Sequence, residues 1–85
     1  MTEFIFTVKD SSGIHARPAG LLVKEATKYR SDIKIECNGK EADAKRIFSV
    51  MGLSAKCGDN LKITICGEDE DHAKECLEDF LNKNL

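Results

Sequence analysis

Ser31-Asp32-Ile33-Lys34-Ile35-Glu36-Cys37-Asn38-Gly39-Lys40-Glu41-Ala42-Asp43 decides the architecture, because it alternates apolar and polar residues, turns, and comes back. Ile33, Ile35 and Cys37 recur at every second position, which puts them on one face of an extended strand. Asn38-Gly39 supplies two residues that tolerate positive φ, as a tight hairpin turn demands, so residues 40–43 are expected to return as a short strand. Strands with one apolar and one polar face need cover on the first side and water on the second. That is the pattern of a sheet packed by helices on a single face, an α+β arrangement.

Working outward, residues 3–8 alternate in the same way, with Phe4, Phe6 and Val8 on one side. Leu61, Ile63 and Ile65 mark a further strand after the turn Cys57-Gly58-Asp59-Asn60. Helical spacing fills the intervals. Ala19, Leu22, Val23 and Ala26 predict a helix over about residues 16–28, and a brief helix is expected at about 46–51. Ala73, Cys76, Leu77, Phe80 and Leu81 form an apolar stripe over about residues 70–82. The expected order is βαββαβα. With 85 residues, no internal repeat, no low-complexity run and no linker, residues 1–85 read as one domain with a modest core.

Composition excludes several classes. No apolar run is long enough to span a bilayer, and Met1-Thr2-Glu3 lacks the basic start and apolar stretch of an export signal, so a cytoplasmic chain without membrane insertion is expected. Cys37, Cys57, Cys66 and Cys76 then read as reduced thiols rather than disulfide halves. The tightest Cys/His pair is His72 with Cys76, one helical turn apart, and no C-x-x-C accompanies it, so no metal and no cofactor is expected. The net charge of −2 conceals an asymmetry. Residues 1–62 carry eleven Lys/Arg against eight Asp/Glu, or +3, and residues 63–85 carry two against seven, or −5. Much of that acidity is Glu68-Asp69-Glu70-Asp71, which suits the positive start of the last helix and reads as solvated.

The chemistry concentrates in Gly13-Ile14-His15-Ala16-Arg17-Pro18-Ala19-Gly20. Pro18 fits the opening turn of a helix that begins at about Ala16 or Arg17. Such a start leaves N–H groups unpaired and carries partial positive charge, so it accepts an anion, above all phosphate. His15 is placed beside that anion site, and the same field favours its neutral, nucleophilic form. Ala16, Arg17 and Pro18 supply the phosphate-binding turn, with the Arg17 guanidinium suited to phosphate oxygens. Taken singly, a histidine beside a helix start bonds a backbone group and an arginine is a solvated charge. Together within six residues they describe a site that makes and breaks a phosphohistidine.

This segment resembles the active-site signature of HPr, the histidine-containing phosphocarrier family of the bacterial phosphoenolpyruvate-dependent sugar phosphotransferase system. Tyr29, Asn38-Gly39-Lys40, Lys45, Ile47, Val50-Met51-Gly52-Leu53 and Gly58 also fall where that family has similar residues. The resemblance implies an open-faced β-sandwich, a four-stranded antiparallel sheet covered on one face by two longer helices and a short one. It also implies a relay: enzyme I phosphorylates His15, at Nδ1, and His15 passes the group to enzyme IIA components. The chain would be a carrier rather than an enzyme with turnover of its own. An HPr-like regulatory or nitrogen-related paralogue is the alternative.

Residues left over by the core pattern outline a partner surface. The first helix turns Arg17, Gly20, Leu21, Lys24 and Lys28 away from its apolar stripe. The short helix has more apolar residues than one face can bury, with Val50 and Leu53 assigned to the core and Ile47, Phe48 and Met51 left exposed. An apolar centre ringed by Arg17, Lys24, Lys28, Lys45 and Arg46 suits an acidic, partly hydrophobic protein surface. In the resembling family the corresponding face docks donor and acceptors, so Gly20, Leu21, Lys24, Ile47, Phe48 and Met51 are the expected contacts.

Two positions depart from the family pattern. Arg46 stands where many members carry a regulatory serine, which removes that site, and Ser49 reads as a plain helix residue. Gly20 stands where alanine or a hydroxyl residue is more usual. A nucleic-acid-binding domain is disfavoured by net acidity and by the lack of an exposed aromatic set on the sheet. An independent enzyme is disfavoured because no second acid–base partner is evident, His72 reading as an exposed helix residue. A monomer that presents one face to successive partners is expected.

Overall fold

In the computed structural model, which describes residues 1–14 and 16–84, β1 (Thr2–Thr7) is followed by α1 (Ala16–Ala26), β2 (Asp32–Cys37) and β3 (Lys40–Asp43). The chain continues through α2 (Ile47–Met51), β4 (Asn60–Cys66) and α3 (Glu70–Asn84). The four strands form one antiparallel sheet in the order β1-β4-β2-β3. The hairpin that opened the sequence reading is formed as expected. Asn38 (φ 52°) and Gly39 (φ 82°) both take positive φ, so the turn twists with its strands, and Ile35 pairs with Ala42.

Register carries the alternation into three dimensions. Phe4, Ile63, Ile35 and Ala42 align across all four strands, flanked by Phe6 beside Leu61 and by Ile65 beside Ile33, and every one of them is buried. The helices close over this face with Ala19, Leu22 and Ala26 from α1, Val50 from α2, and Ala73, Leu77 and Leu81 from α3. Each fully buried Leu or Ile contributes about 1.5–3 kcal/mol through removal from water. The opposite sheet face stays open. Ile5, Lys62, Glu36 and Glu41 form its middle row, and Glu36 lies directly across from Glu41.

Two boundaries and the burial of two helix residues differ from expectation. α1 ends at Ala26 because the Lys28 and Tyr29 N–H groups bond only three residues back, to Glu25 and Ala26, and so tighten the chain out of the helix. α2 starts at Ile47, with Arg46 extended (φ −127°, ψ 115°) as its cap residue. Cys76 and Phe80 sit half-buried at the margin of the α3 stripe, whereas Leu77 and Leu81 fill its centre. Among the described residues, no helix is long and apolar enough to cross a membrane.

Candidate functional site

The loop into α1 is fixed by its packing against the loop into β4. Gly13 has φ +70°, and a side chain there would strike the Ala55 carbonyl and the Lys56 Cα, so only glycine fits. The next residue, Ile14, is buried and donates its N–H to that same Ala55 carbonyl at 2.9 Å. Upstream, the Asp10 carboxylate accepts the Ser12 N–H at 2.8 Å and its carbonyl accepts the Gly13 N–H. Downstream, the Val8 N–H bonds the Asp59 carbonyl and the Gly58 N–H bonds the Val8 carbonyl, which ties the two loops at their base.

His15 lies outside the described residues. Its neighbours on both sides are described: Ile14 is held as above, and α1 begins at Ala16 as the sequence predicts. Within this first turn Ala16 and Arg17 present N–H groups without intrahelical partners, and Pro18, the third helical residue, has none to lose. Among the described residues, the first turn of α1 has no acidic side chain to offset the positive end of the helix. Arg17 is exposed and makes no ion pair among the described residues. Pro18 is buried and anchors the turn to the core. Ala16, Arg17 and Pro18 thus form one anion-receptive helix start.

Next to it, α1 and α2 touch. Gly20 lies so close that a β-carbon there would be 3.8 Å from Ile47 Cδ1. Around this contact the structure exposes Leu21 (43%), Phe48 (84%) and Met51 (36%), with Ile47 half-buried between them and Lys24 exposed alongside. Val50 and Leu53 are buried and Phe48 and Met51 exposed, as the sequence division expects, but Ile47, expected on the surface, is half-buried and packs against the core.

The basic ring is smaller than the sequence suggested. Lys45 is half-buried, with Nζ donating to the Tyr29 carbonyl at 2.8 Å, and Lys28 pairs with Glu25 at 2.9 Å. Burial opposes the charge on Glu25, but hydrogen bonds from Lys28 and Tyr29 outweigh it and hold the carboxyl below its usual range. Arg17, Lys24 and Arg46 remain as cations without an ion pair among the described residues. Glu25 at i−3 was a visible signal for the Lys28 pairing, whereas nothing local announced the Lys45 contact. Ser49 is also occupied: its Oγ accepts the Asp43 N–H at 3.0 Å and fastens α2 to the end of β3.

Sequence reasoning missed the loop at residues 53–59 as a support of the site. Ala55 and Lys56 act through backbone atoms, so their side chains advertise nothing, and only the glycine at position 13 hinted at a close neighbour.

Comparison with known proteins bears on the family and the fold. A family model described as the PTS HPr component phosphorylation site matches residues 2–83. The chain is 46% identical over 78 residues to the phosphocarrier protein HPr of Lysinibacillus sphaericus, covering 92% of this chain and 89% of that protein. It is 39% identical to the phosphocarrier protein HPr of Mycoplasma genitalium, covering 99% and 97%. The crystal structure of HPr-C-His from Thermoanaerobacter tengcongensis superposes with a TM-score of 0.92 at 36% identity, covering 99% of this chain and 94% of that one.

Proposed function

The chain belongs to the HPr family and is a phosphocarrier of the phosphotransferase system, and on that premise we propose that His15 is the residue that carries the phosphoryl group. Phosphorylated enzyme I donates it, and sugar-specific enzyme IIA components accept it. In each step the bond from phosphorus to the departing group breaks as the bond to the incoming nitrogen or acceptor forms, so the work is positioning and charge compensation. The Ala16 and Arg17 N–H groups and the Arg17 guanidinium receive the phosphoryl oxygens. Helix-start stabilisation of about 0.3–2 kcal/mol suits a carrier, because a site that held the group more tightly would slow its release.

What carries this reading is the family match together with an unneutralised helix start immediately after His15. The surface formed by Gly20, Leu21, Lys24, Ile47, Phe48 and Met51 docks donor and acceptor in turn, its apolar centre and free cations complementing an acidic, partly hydrophobic partner. The chain works as a cytoplasmic monomer of one domain, without turnover on a small molecule. Arg46 stands at the start of α2 where the family pattern has a regulatory serine, and Ser49 Oγ accepts the Asp43 N–H.

Intact-mass analysis after incubation with phosphoenolpyruvate and cognate enzyme I tests the assignment. One acid-labile phosphoryl adduct is expected on the wild type and none on His15→Ala. An adduct that survives His15→Ala, or no adduct on the wild type with an active donor, would overturn it, and the second outcome would favour the regulatory paralogue.

A further inference from the structure

The segment that leads from β1 to His15 is gripped at both ends by one short stretch of chain, residues 55–59. At the end nearer His15 the Ala55 carbonyl accepts the Ile14 N–H at 2.9 Å. At the other end the Val8 N–H bonds the Asp59 carbonyl at 2.9 Å and the Val8 carbonyl accepts the Gly58 N–H at 2.8 Å, with a longer contact from Cys57 Sγ to the Lys9 carbonyl at 3.7 Å. The side chain of Asp59 holds residues 55–59 in shape. Its Oδ2 accepts the Lys56 N–H at 2.9 Å while its own N–H donates to the Lys56 carbonyl at 2.9 Å, so the turn is closed from both sides. The same Oδ2 accepts Asn38 Nδ2 at 3.2 Å, which moors the turn to the tip of the β2–β3 hairpin.

We propose that Asp59 is a positioning residue for phosphoryl transfer, fixing through the peptide group between Ala55 and Lys56 the place of Ile14 and so the entry of the chain to His15. The inference rests on His15 as the carrier residue. The N–H that Asp59 accepts and the carbonyl that accepts Ile14 belong to one and the same peptide group. That group is planar, so a carboxylate that fixes the direction of its N–H also fixes the direction of its carbonyl, and the two hydrogen bonds polarise each other. The same peptide fills the space beside Gly13, where a β-carbon would lie 2.4 Å from the Ala55 oxygen and 2.9 Å from the Lys56 Cα, so a tilt of this group is felt at both residues 13 and 14. Transfer is sensitive to such a shift, because a misplacement of about 1 Å can cost about a hundredfold in rate. Geometry demands an acceptor oxygen at position 59 rather than a charge. Leu21, Phe48 and Met51 lie on α1 and α2, apart from this turn, so docking does not depend on it.

Steady-state transfer from phosphorylated enzyme I, resolved into kcat and KM for the wild type, Asp59→Ala, Asp59→Asn and Leu77→Ala, tests this. Asp59→Ala is expected to lower kcat about tenfold with KM unchanged. Asp59→Asn keeps an acceptor oxygen for both bonds and should return kcat to near the wild-type value. Leu77→Ala, destabilised in the core, should keep the kcat of its folded fraction, which separates positioning from stability. Amide exchange followed by NMR should show the Ile14 N–H of Asp59→Ala opening ahead of the core amides. Should Asp59→Ala fail to fold, Asp59→Glu, which keeps the charge but moves the acceptor by one methylene, takes its place with the same expected loss. Equal kcat in the wild type and the displaced or deleted acceptor, no recovery in Asp59→Asn, or Ile14 exchange unchanged relative to the core would overturn the role of Asp59 alone. A wild type that takes no phosphoryl group on His15 by intact mass would instead overturn the carrier assignment, and this inference with it.

Discussion

Two glycines flank His15 and act in opposite ways. At Gly13 the backbone has φ +70° and the Cβ position is filled by the 55–56 backbone. Gly13→Ala is therefore expected to destabilise by about 2–4 kcal/mol, from left-handed strain of about 1–2 kcal/mol plus the displaced loop, and to slow phosphorylation. Thermal unfolding together with the enzyme I assay separates these effects; an unchanged melting temperature would remove Gly13 as the loop's anchor. Gly20 is an ordinary helical residue with room beside Ile47 Cδ1. Gly20→Ala should stabilise α1 by about 1 kcal/mol, raising the Tm by about 4–8 °C. Nothing in the residue type distinguishes the two positions. The crowding at 13 and the ordinary contact distance at 20 arise from partners that are distant in sequence.

At the scale of elements, the junction between α1 and β2 is latched to the start of α3. The Asp69 carboxylate accepts the Ser31 hydroxyl and the N–H groups of Arg30 and Ser31. These bonds, led by that from the Ser31 hydroxyl, lower its pKa from 3.8 to about 2. Because the folded value lies below the unfolded one, the latch stabilises the fold above about pH 4 and its contribution disappears as pH falls from 3.8 to about 2. The Tm difference between wild type and Asp69→Asn should be largest near neutrality and close over that acid range; a difference independent of pH would exclude the charged latch. The sequence placed the acidic run at a helix start correctly, as dipole compensation. That one of its carboxylates serves a loop 38 residues upstream is a tertiary fact, invisible to local pattern. Strands and helix stripes were legible because periodicity repeats the same signal several times, whereas Asp69, Lys45 and Ser49 each make single contacts.

Across the whole molecule, the polar sheet face and the acidic flank of α3 are separate from the surface around Leu21, Phe48 and Met51, so docking and stability can be perturbed independently. Phe48 is 84% exposed, and Phe48→Ala should leave stability within about 0.5 kcal/mol of wild type. As the most exposed apolar side chain of the proposed interface, it should nevertheless cost about tenfold in the second-order rate of transfer from enzyme I. Leu77 is fully buried beneath α3, and Leu77→Ala should show the converse, a loss of about 2–5 kcal/mol with the transfer rate of the folded fraction preserved. On the proposed docking, Arg17, Lys24 and Arg46 would add a long-range attraction that salt screens over about 10 Å at 0.1 M. Transfer should therefore slow as ionic strength rises, and Lys24→Glu should both slow it at low salt and flatten that dependence. Stopped-flow transfer measured from low to high salt reads both effects at once. A salt slope unaltered by Lys24→Glu would place the docking face elsewhere on the molecule, even with the phosphorylated histidine confirmed.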